Sequence, residues 1–187
     1  MVRGVVDAAF VATAREHLAA LPDTGALRTA PVEWFTELVT YEPLVAIARD
    51  ALDGDVEPFG CTFVVKPPRT GLEARWHQDG HPWEARGITH AVSLGVALDA
   101  TTEANGCLRV IPGSHRLDAQ PLRQVQDPPN IFSSEIDSAL VDESLAVALP
   151  LAVGDVSVHV PNLIHASDAN RSDTPRTTLV LRYRAAG

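Results

Sequence analysis

Lysine is almost missing from this chain of 187 residues: Lys66 stands alone against 14 arginines. Cysteine is nearly as scarce. Cys61 and Cys107 are too few for a disulfide framework and lack the spacing of a zinc site, so a reduced cytoplasm is the expected compartment. Positive charge is outnumbered, with 15 basic residues against 24 acidic ones and a formal net charge of −9. That balance argues against nucleic acid as a partner, because such binding needs a basic surface. No apolar run has the length of a membrane span, which argues against a membrane partner. The opening stretch carries Asp7 and Glu16, so it lacks the apolar core of a secretory leader. Internal repeats and low-complexity tracts are absent as well. What remains is a chain that is 45% apolar, enough to build a core, at a length that suits one domain.

The first third reads as helical. Val6, Phe10, Ala14, Leu18 and Leu21 fall at helical spacing, and Leu21-Pro22-Asp23-Thr24-Gly25 breaks the pattern. A second stretch starts at Pro31-Val32 and runs through Trp34, Phe35, Leu38, Leu44, Ile47 and Ala48 to Leu52, with Pro43 expected to split it. The texture changes after residue 60. Short valine-rich runs bounded by Gly, Pro and Asp predict strands over 61–66, 74–78, 89–98, 107–111, 145–149, 155–160 and 177–184. Their spacing predicts a sandwich, barrel or jelly roll, with residues 1–58 as a helical N-terminal layer. Residues 117–144 carry three prolines and six acidic residues. They read as an insertion, expected to act as a lid, with a short helix over 134–140.

Seven histidines are present, and one of them makes an H-x-D, in Arg75-Trp76-His77-Gln78-Asp79-Gly80. On an extended strand residues i and i+2 point to one side, so an imidazole and a carboxylate at this spacing can grip one metal ion. A third ligand must come from elsewhere, and His165 ends an apolar strand pattern that opens at Gly154-Asp155. Eleven residues on, Arg176 opens the last strand. Two histidines and a carboxylate form the facial arrangement of non-haem iron oxygenases. An arginine nearby suits a carboxylate ligand.

Four segments carry a family likeness: Lys66-Pro67-Pro68, Trp76-His77-Gln78-Asp79, Asn105-Gly106-Cys107-Leu108-Arg109-Val110-Ile111-Pro112-Gly113-Ser114-His115, and His165-Ala166-Ser167 with Arg176. In these, and over residues 60–184, the chain resembles the phytanoyl-CoA dioxygenase family, iron(II)- and 2-oxoglutarate-dependent oxygenases built on a double-stranded β-helix. The resemblance implies a mainly β, cupin-like jelly roll with N-terminal helices. It implies Fe(II), with 2-oxoglutarate and O2 as cosubstrates, and a small-molecule substrate that is hydroxylated at an unactivated C–H. By the same resemblance His77, Asp79 and His165 are the iron ligands. Arg176 and Ser167 bind the distal carboxylate of 2-oxoglutarate. Asp79 fills the position that a small residue takes in related halogenases, so no halogenation is expected.

Similarity to ectoine-hydroxylase-like members extends this to the pocket. Thr62 and Ser93 are expected at the cosubstrate, and Trp83, Thr178 and His81 at the substrate. His115 and Asn105-Gly106 read as turn residues, and His159 is not a natural fourth ligand. Gly95 replaces a bulky aromatic and implies a reshaped pocket. Arg69, Arg75 and Arg86 flank the H-x-D segment and would meet an acidic group on a small substrate, whereas no basic cluster suits a CoA thioester. A tailoring step of specialised metabolism fits the family's breadth. Epimerisation, cyclisation and desaturation stay open as alternatives, as does a non-catalytic jelly-roll binding protein. Oligomeric state is not legible.

Overall fold

Helices form at the N-terminus where the apolar spacing predicts them. The structure, a computed structural model, describes residues 1–125 and 130–187, without the side chains at 81 and 82. Helix α1 spans Ala8–Ala20, capped by the Asp7 carboxylate, which accepts from the Phe10 amide at 2.8 Å. The second stretch divides, but not at Pro43. A 3-10 turn over Val32–Phe35 leads into α2 (Thr36–Val39), and α3 (Glu42–Leu52) follows with Pro43 in its first turn. A proline there forfeits no intrahelical bond, so it opens α3 instead of breaking a longer helix. Phe35 is fully buried while Trp34 is 56% exposed, so only one of this aromatic pair joins the core.

Strand β1 (Leu27–Thr29) lies between α1 and α2. Then follow β2 (Val56–Lys66), β3 (Ala74–His77), the one-turn α4 (Gly80–Glu84), β4 (Ala91–Ala97) and β5 (Leu108–Val110). The remainder is β6 (Leu122–Gln124), β7 (Ser134–Ile136), β8 (Val147–Leu149), β9 (Val156–His159), β10 (His165–Ser167) and β11 (Arg176–Ala185). One sheet has the order β1-β2-β11-β4-β9, a second β3-β10-β5-β8, and β6 and β7 form a hairpin. All strand pairs are antiparallel. This is the expected jelly roll. The helix expected over 134–140 is instead β7 followed by a 3-10 turn at Ser138–Leu140. Part of the expected lid, residues 126–129, lies outside the described residues. No helix among the described residues is long and apolar enough to cross a membrane.

Period-two alternation sorts the larger sheet into two faces. Cys61 and Phe63 of β2, Val92, Leu94 and Val96 of β4, Val156 of β9, and Leu179, Leu181 and Tyr183 of β11 pack under the helices with Phe35, Leu38 and Leu44. Each fully buried Leu or Phe in this layer contributes about 1.5–3 kcal/mol. The intervening residues, Thr62, Ser157, His159, Arg176, Thr178 and Arg182, face the other way, into a cavity that His77, His165 and Ser167 of the smaller sheet close. Gly95 belongs to this inner face, but its missing side chain opens nothing. A Cβ there would lie 2.5 Å from Ser157 Oγ, which occupies that space.

Candidate metal centre

His77 ends β3 and His165 opens β10, and the two are register partners across the ladder, with ring centroids 4.0 Å apart. Asp79 joins them by a route other than strand alternation. The strand stops at His77, and Asp79 adopts a right-handed helical conformation (φ −70°, ψ −20°) at the start of α4. The segment preceding β10 fixes that turn. Buried Gln78 donates to the Asn162 carbonyl at 2.7 Å, and the Gly80 amide donates to the Pro161 carbonyl at 3.1 Å. One ligand atom from each of His77, Asp79 and His165 lies within 4.8 Å of the others.

Protonation favours a cation. His77 Nδ1 donates to the Arg75 carbonyl at 2.7 Å and His165 Nδ1 to the Leu163 carbonyl at 2.8 Å. In neutral rings this leaves Nε2 as the lone pair, the usual setting of a metal-binding histidine. Burial lowers both imidazole pKa values, and for His165 the neighbouring His77 and His159 lower it further. Burial alone would raise the Asp79 pKa. The His159 hydrogen bond and the positive field of Arg182 oppose that, and the carboxyl is held well below its ordinary range. Two neutral imidazoles and one carboxylate result, a donor set suited to iron(II).

Asp79 is itself held. Its Oδ2 accepts from Ser93 Oγ at 3.0 Å and lies 3.4 Å from His159 Nε2. Ser93, expected at the cosubstrate, thus reaches the carboxylate. His159, discounted from its spacing, stands beside it, because β9 runs next to β4 on the inner face.

At the start of β11 the buried Arg176 lines the same cavity. Burial lowers its pKa to about 10, and its Nε meets no partner among the described residues. Thr178 Oγ1 is equally orphaned. Burying an unpaired guanidinium carries a penalty of several kcal/mol, which an anion at this point would offset. Ser167 lies between. Its Oγ accepts from Lys66 Nζ at 2.7 Å, and Lys66 also donates to the Ser167 and Asp168 carbonyls at 3.0 and 2.6 Å. Lys66 is fully buried, and burial, with the field of Arg176, brings its pKa down to about 7. Its place at a strand end therefore conceals a place in the site. The orphaned Arg176 and Thr178 atoms beside the Ser167 hydroxyl fit a carboxylate of the cosubstrate.

Thr62 also lines the cavity, and Trp83 is buried behind it against Phe59, with ring centroids 5.2 Å apart. The His81 side chain lies outside the described residues. Phe132, from the segment after β6, places its ring 4.6 Å from that of His77. Two of the arginines expected at the mouth are engaged elsewhere: Arg69 pairs with Asp173 at 2.7 Å, and Arg75 with Glu73 and Glu135 at 2.7 and 3.3 Å. Arg86 is exposed beyond α4. Arg182, two residues past Val180 on the inner face of β11, also lines the cavity, a place that alternation along the strand from Arg176 makes legible.

Comparisons with known proteins agree with this geometry. The chain is 32% identical over 154 residues to the "Probable alpha-ketoglutarate-dependent hypophosphite dioxygenase" of Stutzerimonas stutzeri, covering 80% of this chain and 52% of that protein. It is 30% identical to the L-proline trans-4-hydroxylase of Streptomyces griseoviridis, covering 78% of this chain and 61% of that protein. The chain thus spans about half to three fifths of these curated relatives. Among solved structures, EvdO2 from Micromonospora carbonacea var. aurantiaca, complexed with 2-oxoglutarate, superposes with a TM-score of 0.77 at 26% identity, covering 98% of this chain and 84% of that one. The family profile described as Phytanoyl-CoA dioxygenase (PhyH) matches residues 2–178. A jelly roll with a His-Asp-His trio and a buried arginine at the start of its last strand, matched over nearly its whole length, belongs to the phytanoyl-CoA dioxygenase (PhyH) family.

Proposed function

We propose that this chain is an Fe(II)- and 2-oxoglutarate-dependent oxygenase that hydroxylates an unactivated C–H of a small molecule, as a tailoring step. One observation supports this above the rest. The His77/Asp79/His165 trio and the unpartnered guanidinium of Arg176 face a single cavity between the sheets. A binding protein without chemistry has no use for both.

His77, Asp79 and His165 would hold the iron. When bound, iron and 2-oxoglutarate together with O2 supply the oxidising power that breaks a C–H bond, and 2-oxoglutarate leaves as succinate and CO2. The protein's part is positioning. Arg176 pairs with the distal carboxylate, and Thr178 offers a hydroxyl beside it. Lys66 spends its own proton on Ser167 Oγ, so the Ser167 hydroxyl hydrogen is free to donate to the same carboxylate. Ser93 and His159 keep Asp79 oriented and ionised. Phe132, Leu151 and Val180 wall the cavity with apolar surface that excludes water. The cavity measures about 180 Å³, small beside the ~300–1,000 Å³ of ordinary ligand pockets, which favours a small substrate.

The test is anaerobic addition of Fe(II) and 2-oxoglutarate to the purified protein. A weak visible charge-transfer band should appear, vanish in His77→Ala, and give way to succinate once air enters. A wild-type protein with no band and no succinate would end the oxygenase reading.

A further inference from the structure

We infer that Arg182 anchors an anionic group on the substrate, so that the cavity accepts small acids, carboxylates above all. The inference rests on the oxygenase reading for the word substrate. The anion site itself rests on four features of Arg182.

The first is direction. Arg176, Thr178, Val180 and Arg182 alternate along β11 and all face the cavity. Six residues of strand separate the two arginine Cα atoms by about 20 Å. Arg182 lies on the side of the trio: its register partner on β4 is Ser93, whose Oγ donates to Asp79, and it lines the cavity together with Asp79 and His77. It is therefore placed for a second anion beyond the metal, not for the one at Arg176.

The second is preorganisation. Arg182 faces Gly60 across the ladder, and a Cβ there would come within 3.3 Å of Arg182 Cδ, so the glycine lets the arginine stem lie flat. The guanidinium carbon sits 5.7 Å from the Trp83 ring centroid, and Nη1 donates to Thr62 Oγ1 at 2.9 Å. A guanidinium braced by a ring, a hydroxyl and a flat floor surrenders little freedom on binding.

The third is a missing partner. Most of the chain's arginines stand in ion pairs, such as Arg3 with Asp155, Arg109 with Asp168 and Arg184 with Glu57. Arg182 has no carboxylate within ion-pair distance among the described residues, and its Nε is buried without a partner.

The fourth is charge balance. A divalent cation is neutralised by Asp79 and one carboxylate of the cosubstrate, and the other carboxylate is taken up at the Arg176 and Lys66 end of the cavity, so neither serves Arg182. Arg182 is then left as an uncompensated positive charge in a half-buried setting, where attraction for an anion is stronger than in water.

Calorimetry on protein loaded with Mn(II) and 2-oxoglutarate tests this without turnover. The probes are short monocarboxylates and cyclic amino acids, each paired with its primary amide. At least one acid should bind wild type about tenfold or more tighter than its amide, as expected for a charge-assisted pair. Arg182→Gln should abolish that preference, and Arg182→Lys should keep part of it as a point charge. Both variants should bind 2-oxoglutarate as wild type does. Acids that bind no better than amides to wild type, absence of any binding included, would overturn the proposal. So would a preference that survives in Arg182→Gln, since Arg182 would then serve only to offset Asp79. A retained charge-transfer band with no acid preference removes the anion site alone. A retained preference with no band removes the oxygenase reading alone.

Discussion

Lys66 and Arg176 stand opposite each other across the β2–β11 ladder, two buried cations with no carboxylate paired to either among the described residues. Among the described residues Lys66 donates to two carbonyls and a hydroxyl. A fold that places two like charges side by side in its interior is poised for an anion between them, and its stability must depend on pH.

The direction follows from the depressed Lys66 pKa. Folded Lys66 titrates near 7 and unfolded lysine near 10.5, so between these values the unfolded chain binds more protons. Stability therefore rises with pH across that window. From pH 7 to 9 the gain should approach about 2 kcal/mol relative to Lys66→Met, which lacks the titrating group. Urea denaturation of both proteins at several pH values measures it. Saturating 2-oxoglutarate should flatten the slope by favouring the charged lysine. Parallel pH profiles in the two proteins would contradict the assignment.

Arg176→Gln should weaken 2-oxoglutarate about a hundredfold, the loss of a buried charge-assisted pair, with metal affinity within a few-fold of wild type. Titrating the charge-transfer band gives the cosubstrate constant, and calorimetry with Mn(II) gives the metal constant. A cosubstrate affinity equal to wild type would take Arg176 out of the site.

Ser93→Ala and His159→Leu each remove a polar neighbour of Asp79 Oδ2. Each should lower metal affinity by about ten- to a hundredfold, the usual effect of stripping support from a ligand. Mn(II) titration of each variant checks this. Unaltered affinity in both would mean that Asp79 is oriented by its own turn.

Gly106 has φ +79°, and a Cβ there would fall 2.0 Å from the Asp168 carbonyl oxygen that receives Lys66. Gly106→Ala should therefore destabilise the protein by about 2–4 kcal/mol, through strain and through loss of the Lys66 acceptor. The midpoint of chemical denaturation reports it, and Gly113→Ala, with open space around its Cβ position, separates the two causes.

What the sequence disclosed and what it hid divide along a physical line. The jelly roll was legible because valine-rich runs separated by Gly, Pro and Asp recur after residue 60. His77, Asp79 and His165 were legible through the family likeness of their segments, whereas strand alternation does not describe Asp79, which sits in a helical turn past the end of β3. The three-residue strands β1, β6, β7 and β10 were not, since so short a run carries no period. His159 lies six residues from His165 in the chain, yet the two rings stand 4.7 Å apart because β9 and β10 belong to facing sheets. The charges of Arg182 and Lys66 gain meaning from the three-dimensional arrangement, Arg182 from the cavity it lines and Lys66 from its bonds to Ser167 and Asp168.

The ten residues of β11 carry two messages on alternate positions. Leu179, Leu181 and Tyr183 bind the strand to the helices, while Arg176, Thr178, Val180 and Arg182 face the cavity. Specificity and foldability are thus written in interleaved letters. Substitutions at Val180 or Arg182 are free to reshape the cavity without loosening the core, whereas a one-residue insertion in this strand would scramble both texts at once.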